Sequence, residues 1–393
     1  MKAHTFILPL SVFSVILGTA CLQAAELPKE PAPAKAVQKS DAPASKPRQP
    51  MVEVTFVLDT TGSMDGLIDG AKQKIWSIAN DIISAKPKPL VRFGLVGYRD
   101  RGDAYIIKRA SLTDDLDAIH AQLQEFRADG GGDTPESVSE ALHEAVTKMP
   151  WSTGDDVLKV IYLVGDAPPQ AYENGKDWKK VCEKAQETGI LINTIQCGNL
   201  AGTAEVWKAI ASRAAGAYAV IPQDGNMVVI AAPQDEELGR LNAEIGKTLI
   251  PWGSESTRRS VTSKQRAAEA AAPADNASRL GYNSKSDKTV QGEGELLDGL
   301  KEGKAELDKI KPSELPEELR KLNPAELKAH VEKQQATRSE LQARITVLVK
   351  ERDVFISAER KKRSTSGKTD SFDEQVAQTL RQQAAPKGIT WEK

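Results

Sequence analysis

Short apolar runs alternate along much of the chain with segments in which apolar residues recur every three or four positions. Such runs are typical of strands buried on both faces, and the wider spacing is typical of helices that cover a sheet. The pattern predicts strands at Val52–Leu58, Val91–Tyr98, Tyr105–Leu112, Val157–Val164, Leu191–Gln196 and Ala217–Ile221. It predicts helices at Asp65–Ala85, Asp114–Arg127, Pro135–Met149, Asp177–Thr188 and Ala204–Ala214.

This alternation decides the fold class. Strand–helix–strand units with right-handed crossovers build a sheet that helices cover on both sides. We therefore expect an α/β, Rossmann-like domain at residues 51–250, with a doubly wound, mostly parallel sheet. Tyr105–Leu112 is expected to be an edge strand paired with Val91–Tyr98.

The second half of the chain has a different pattern. Residues 251–290 are polar and rich in Ala and Ser without steady periodicity, which predicts a linker. Residues 291–393 are predicted to be helical and partly coiled-coil-like, beginning with a short amphipathic helix at Leu296–Ile310. The final stretch, Phe372–Trp391, is expected to form one more helix.

One helix of this region has a clear start, with Asn323 as N-cap, Pro324 as first helical residue and Glu326 as the reciprocal capping acid. Its apolar seam follows heptad spacing with three polar interruptions. The seam contains Leu327, Val331, Gln334, Arg338, Leu341, Ile345, Leu348, Arg352 and Phe355. We favour a helix that packs on its own neighbours; weak self-association through residues 324–362 is the alternative.

The N-terminus resembles a secretory signal. Residues 1–25 combine Lys2 with an apolar stretch and small residues suited to cleavage, and residues 26–50 form a Pro/Ala-rich linker. The protein is therefore expected to be periplasmic or secreted. Lipidation of Cys21 would tether it to a membrane, but Gly18-Thr19-Ala20-Cys21 lacks the Leu that we would expect three positions earlier.

The charge of the chain argues against one class of partner, and its cysteines raise the question of a disulfide. The chain has 53 Lys and Arg against 55 Asp and Glu, and this near balance argues against nucleic acid as a partner. Cys182 and Cys197 would lie in an oxidising compartment, where a disulfide can form. We favour two buried free thiols, although sequence alone does not decide the pairing.

Oxygen-bearing side chains follow two of the predicted strands. Asp59-Thr60-Thr61-Gly62-Ser63 comes directly after the run Val54–Leu58, and Asp166 follows Val160–Val164. Thr134 precedes a proline that opens a predicted helix. Carboxylate and hydroxyl oxygens suit Mg²⁺, and ligands of open α/β sheets bind at the carboxyl ends of the strands. Helix capping is the simpler alternative for the first turn taken alone.

Taken together, these segments resemble the von Willebrand factor type A (VWA) family and its metal-ion-dependent adhesion site (MIDAS). The resemblance implies that Thr61 and Ser63 are the hydroxyl ligands of the first motif and that Asp59 is its carboxylate. It implies that Thr134 is the hydroxyl ligand of the second loop and Asp166 the carboxylate of the third. Thr61 stands where Ser is commoner in the family.

The resemblance covers roughly residues 51–232. The segments Phe93–Asp100 and Gly130–Glu136 are typical of bacterial VWA proteins. The chain resembles the secreted members of that group. The resemblance implies a metal-dependent protein-binding module of the cell envelope. In such a module Mg²⁺, with Mn²⁺ or Ca²⁺ as alternatives, coordinates an Asp or Glu carboxylate of a partner protein.

Two other functions remain as alternatives. A structural envelope protein would use the metal to stabilise its fold. A metal-dependent hydrolase is less favoured, because no activated nucleophile or suitably placed base is apparent and His120 and His143 lie on predicted helices. We therefore expect no enzymatic activity. Asp100, Asp103, Asp114 and Asp115 could form a second cation site, but capping and solvated loops explain them more simply.

Overall fold

The structure, a computed structural model, describes residues 49–131, 136–154, 156–365 and 371–391. The predicted signal peptide, Cys21, nearly all of the 26–50 linker and Thr134 lie outside these residues. Within the described part of the chain, no helix combines the length and apolar character needed to cross a bilayer.

A six-stranded sheet of order β3-β2-β1-β4-β5-β6 forms the centre of the molecule. Its strands are β1 (Met51–Asp59), β2 (Leu90–Tyr98), β3 (Ile107–Thr113), β4 (Val157–Gly165), β5 (Ile190–Cys197) and β6 (Tyr218–Ile221). All neighbours pair in parallel except β3, which is antiparallel to β2 at one edge. The predicted α/β fold class and the paired edge strand are therefore confirmed.

Helices cover both faces of the sheet. The helices between the strands are α1 (Asp65–Ile83), α2 (Leu116–Glu125), α3 (Val138–Lys148), α4 (Trp178–Glu187) and α5 (Thr203–Arg213). Apolar residues of α1 and α2 share one buried cluster with the sheet, and those of α3, α4 and α5 share the cluster on the other face. This arrangement leaves the carboxyl ends of β1, β4 and β5 open to the loops that follow them.

The C-terminal helix α11 (Ser371–Ala384) belongs to the core of this sheet domain. Phe372 is buried with its ring centroid 6.4 Å from that of Phe56 on β1. The Tyr162 hydroxyl on β4 donates to the Val376 carbonyl at 3.0 Å. The end of the chain therefore covers the face of the sheet that also holds α1.

The prediction of a linker at residues 251–290 is wrong. This region contains helices α7 (Glu255–Ala270) and α8 (Pro273–Ser286), which pack beside α6 (Asp235–Gly246). Apolar periodicity is weak here because buried polar contacts replace many apolar ones. Arg279 of α8, for example, forms a buried bidentate pair with Asp117 of α2 at 2.7 and 2.8 Å.

After the short helix α9 (Leu296–Lys301), the long helix α10 (Pro324–Thr365) starts as predicted. The Asn323 side chain accepts from the Glu326 N–H, and the Glu326 carboxylate accepts from the Asn323 N–H, both at 2.9 Å. The helix that we expected at Leu296–Ile310 is shorter, because α9 ends at Lys301 and a separate 3₁₀ turn follows at Leu307–Lys309.

The seam of α10 is buried inside its own chain. Leu341, Ile345 and Val349 pack in a cluster with residues of α6 and α8. The buried interruption Arg352 pairs with Asp235 at 2.6 Å. The favoured arrangement, a helix that packs on its own neighbours, therefore agrees with the structure. The seam is thus covered by helices of the same chain, and self-association through residues 324–362 stays a prediction.

Candidate functional site

The turn after β1 brings three of the predicted site residues together. Asp59 Oδ1 accepts hydrogen bonds from the N–H of Thr61 at 2.9 Å and from its hydroxyl at 2.6 Å. The Thr61 hydroxyl lies 3.4 Å from that of Ser63. The turn is held from outside by Gly62 N–H, which donates to the Gly130 carbonyl at 3.1 Å. One carboxylate and two hydroxyls therefore lie at the carboxyl end of β1, just before α1.

The second carboxylate oxygen of Asp59 has unusual surroundings. Asp59 is 0% exposed, and its Oδ2 has no hydrogen-bond partner among the described residues. Burial, with a smaller contribution from Asp166, raises the pKa of this carboxyl to about 7, against the lowering effect of its hydrogen bonds to Thr61. A buried carboxylate oxygen without a partner is costly, and a cation is one of the groups that relieves that cost. The donor set at this turn therefore fits a small hard cation.

Asp166, one residue beyond β4, is tied to the same turn. The side-chain amide of Gln223 donates to Asp166 Oδ2 at 2.7 Å and to the Ser63 carbonyl at 3.2 Å. The hydroxyl of Thr203 donates to the Asp166 carbonyl at 3.0 Å. These bonds fix Asp166 at the same edge of the sheet as Asp59 and Ser63.

Thr134, the remaining predicted ligand, lies outside the described residues, so its assignment stays a prediction. The residues on either side of that gap, Gly131 and Glu136, line one open cleft together with Thr61, Ser63 and Asp166. The cleft has a volume of about 670 Å³. Its other lining residues are Gly62, Gly130, Asn199, Leu200 and Gln223.

Two polar residues at the site were missed by the sequence analysis. Glu136 is buried with Oε2 unpartnered, and burial together with the nearby Asp59 and Asp100 raises its pKa to about 8. The Tyr98 hydroxyl is also buried without a partner. The register pairs Tyr98 with Asp59, so an alignment of the strand ends could have found Tyr98. Nothing in the periodicity points to Glu136, which lies in a loop.

Arg99 supports the site from behind. Its guanidinium donates to the Thr60 carbonyl at 3.0 Å and to the Arg127 carbonyl at 2.7 Å. The same group lies 4.5 Å from the centre of the Tyr105 ring. Arg99 therefore joins three loops around the site, and its charge lowers the pKa of Asp59.

The other acidic residues have local partners. Asp103 accepts from the N–H of Asp100 at 3.2 Å and from that of Gly131 at 3.3 Å. Asp115 accepts from the Ala118 N–H at 3.1 Å and so caps α2. These contacts agree with the simpler explanation of loops and caps. Among the described residues, no group of three or more His, Cys, Asp and Glu side chains could hold a metal, so a cation at this edge would also need hydroxyl ligands.

The two cysteines do not take part in the cleft. Cys182 and Cys197 are both buried and free, as we favoured. Burial raises the pKa of the Cys182 thiol to about 12 and that of Cys197 well above its usual value. Both thiols are therefore packing groups rather than nucleophiles.

Comparison with known proteins accounts for this arrangement of strand ends and loops. Residues 53–228 match the family described as von Willebrand factor A domain. This part of the chain is a VWA domain. Human von Willebrand factor A domain-containing protein 7 is 34% identical over 121 residues, which are 31% of this chain and 12% of the human protein. Mouse hemicentin-2 is 30% identical over 171 residues, which are 42% of this chain and 3% of hemicentin-2.

The chain spans only a small part of those relatives, 12% of the human protein and 3% of hemicentin-2. Among solved structures, the VWA domain of SpRpn10 matches with a TM-score of 0.34 and 15% identity, covering 44% of this chain and 89% of that one. A VWA domain is typically a protein-interaction module, and this chain adds a helical C-terminal region to it.

Proposed function

We propose that this protein is a metal-dependent protein-binding module in which Asp59, Thr61, Ser63, Thr134 and Asp166 hold Mg²⁺. Mn²⁺ and Ca²⁺ have the same preference for oxygen ligands and are the alternatives. The observation that carries the proposal is the buried Oδ2 of Asp59, which has no partner among the described residues, in a turn whose Thr61 and Ser63 line the cleft.

A cation bound at this edge would allow the site to bind an anion. Bound at this edge, Mg²⁺ supplies an electrophilic position for an Asp or Glu carboxylate of a partner. Asp65 begins the 19-residue helix α1 directly after the turn, so the positive end of its dipole lies near the cleft. Without a cation, the acidic side chains of Asp59, Asp166 and Glu136 present no positive charge to such a carboxylate. The partner should therefore bind only in the presence of the metal.

A catalytic role has less support than a binding role. Ser63 Oγ has the Thr61 hydroxyl as a neighbour at 3.4 Å, an arrangement that does not activate a nucleophile. His120 and His143 have other neighbours, with His120 Nε2 3.0 Å from Gln124 Nε2 and His143 Nε2 3.4 Å from the Thr147 hydroxyl. We therefore propose a binding protein and not a hydrolase.

We also propose that the mature protein acts in the periplasm or after secretion, because residues 1–25 resemble a signal peptide. The partner is then a protein of the envelope or the outside medium. A fold-stabilising role of the metal is the second candidate, since Asp59 joins the site to the end of the central strand β1.

Affinity capture from an envelope extract separates these functions. The mature protein, Asp59→Ala and the control Asp308→Ala are each used as bait in Mg²⁺ and in EDTA. Asp308 is an exposed acid in the helical region, so its loss changes the net charge equally. Binding should capture a protein only with wild type and Asp308→Ala in Mg²⁺. An identical catch in every condition would contradict the proposal.

Thermal unfolding of the same proteins tests the structural alternative. A metal that binds only the folded protein raises its melting temperature, and the stabilisation grows with the logarithm of the ratio of free metal concentration to Kd. If Mg²⁺ raises the melting temperature strongly while no partner depends on it, the second candidate replaces the first.

A further inference from the structure

An apolar side chain forms part of the rim of the cleft. Leu200 lies in the loop between β5 and α5, is 43% exposed, and lines the cleft together with Ser63 and Asp166. Single exposed apolar residues are common on protein surfaces and need no explanation. Leu200 differs by its position, because it lines the same cleft as two of the proposed metal ligands, Ser63 and Asp166.

Three glycines also line the cleft. They are Gly62, Gly130 and Gly131, and Gly131 has a φ of +71°. A Cβ atom on Gly131 would lie 3.1 Å from the Cβ of Thr61. These glycines allow an extended segment to approach the backbone closely, and they have no side chains with which to distinguish one partner residue from another.

The loop of Leu200 is fixed relative to Asp166. The hydroxyl of Thr203 donates to the Asp166 carbonyl at 3.0 Å, and the indole N–H of Trp207 donates to the Ala167 carbonyl at 3.1 Å. Within the loop, Thr203 N–H donates to the Leu200 carbonyl at 3.3 Å. Leu200 is therefore held in place beside Asp166.

Gln223, which also lines the cleft, already has hydrogen-bond partners within the chain. The amide of Gln223 donates to Asp166 Oδ2 and to the Ser63 carbonyl. Its Oε1 lies so close to Gly198 that a Cβ there would be 2.3 Å away. In the loop between β5 and α5, Asn199 and Leu200 line the cleft and are left to contact the side chains of a partner.

We infer that Leu200 determines specificity, and that the site takes an extended acidic segment in which an aliphatic residue directly adjoins the Asp or Glu. This inference rests on the proposed function. An aliphatic neighbour would cover the exposed part of Leu200 and remove apolar surface of both groups from water, whereas a polar neighbour would not. The expected preference is about tenfold in affinity.

Two fluorescent peptides test the inference by anisotropy in Mg²⁺ and in EDTA. One has leucine on both sides of a single aspartate, and the other has serine in both places. The proteins are the mature wild type, Leu200→Ser and the control Leu90→Ser. Leu90 is similarly exposed at 47%, but it begins β2 and therefore lies at the amino ends of the parallel strands, away from the cleft at their carboxyl ends.

Wild type and Leu90→Ser should prefer the leucine peptide about tenfold in Mg²⁺. Leu200→Ser should bind both peptides equally, with its affinity for the serine peptide unchanged. Mg²⁺-dependent binding of both peptides without preference, or a preference that survives in Leu200→Ser, overturns the inference and leaves the proposed function standing. If wild type binds neither peptide in Mg²⁺, the proposed function and the inference both fail.

Discussion

Arg338 of α10 holds two buried carboxylates together, and its removal should be strongly destabilising. The guanidinium donates to both oxygens of Glu295, at 2.7 and 2.9 Å, and to Asp298 at 3.2 Å. It also donates to the hydroxyl and the carbonyl of Thr248, at 3.0 and 2.9 Å. Arg338 is only 4% exposed. The substitution Arg338→Met keeps most of the volume and removes the charge.

The size of the loss follows from what remains. Breaking a buried ion pair by removing one partner typically costs about 3–5 kcal/mol, because the other charge stays buried without compensation. Here Glu295 and Asp298 both lose their cation. Since a folded domain is stable by about 5–15 kcal/mol in total, we expect a large downward shift of the urea midpoint.

The loss should also depend on pH. Burial and the charge of Glu295 raise the pKa of Asp298, while Arg338 lowers it. In the variant this pKa rises further above its unfolded value, so the folded state takes up a proton more readily than the unfolded state. Stability then increases as the pH falls through that range. The difference between variant and wild type should therefore be smaller at pH 5 than at pH 8.

Urea unfolding followed by circular dichroism at both pH values measures these effects. The matched control is Arg344→Met, on the same helix, where an exposed guanidinium lies 3.2 Å from Glu237. An exposed pair contributes about 1 kcal/mol or less. If Arg338→Met were no less stable than Arg344→Met, the reasoning about the buried cluster would be refuted.

Two further predictions concern the core. Phe372→Ala should lower the free energy of unfolding by about 3–5 kcal/mol, because the Phe372 ring is buried against β1. The control Val354→Ala, at an exposed position, should change it by less than about 0.5 kcal/mol. Calorimetric melting measures both variants, and equal effects would contradict a core role for α11. Cys182 and Cys197 should resist iodoacetamide at pH 8 in the native protein and each take up one label in guanidinium; rapid native labelling of either, seen by mass spectrometry, would contradict their burial.

The sheet could be predicted because its central strands β1, β2, β4 and β5 are mostly buried on both faces. Strands such as β1 and β4 are almost wholly apolar, so their runs stand out from the helices between them. The turn Asp59–Ser63 was predictable for the same reason, since the end of a buried run fixes where the next polar side chains lie. Asp166 followed from the end of β4 by the same argument.

The helical region was harder to predict because its interfaces are partly polar. Arg338 and Arg352 interrupt the apolar seam of α10, yet both are buried and paired with acids that lie far away in sequence. Helices α7 and α8 were missed because residues such as Gln265 and Arg279 occupy buried positions that an apolar pattern would mark. Periodicity does not identify such partners.

The contacts of the site depend on loops that sequence does not place. Gln223 follows β6 by two residues and donates to Asp166, and Glu136 lies near enough to Asp59 for the Asp59 charge to raise the pKa of Glu136. Neither contact follows from local spacing, because each needs the strand order of the finished sheet. The contribution of α11 to the core likewise becomes visible only in the folded chain.

Titration of metal-free mature protein with Mg²⁺ by isothermal calorimetry tests the central claim most directly. The comparison uses wild type, Asp59→Ala and Asp308→Ala at pH 8, where the Asp59 carboxyl, with its pKa of about 7, is mainly ionised. We predict one Mg²⁺ site in wild type and in Asp308→Ala, and its loss in Asp59→Ala. Equal Mg²⁺ affinity in all three proteins would contradict the account.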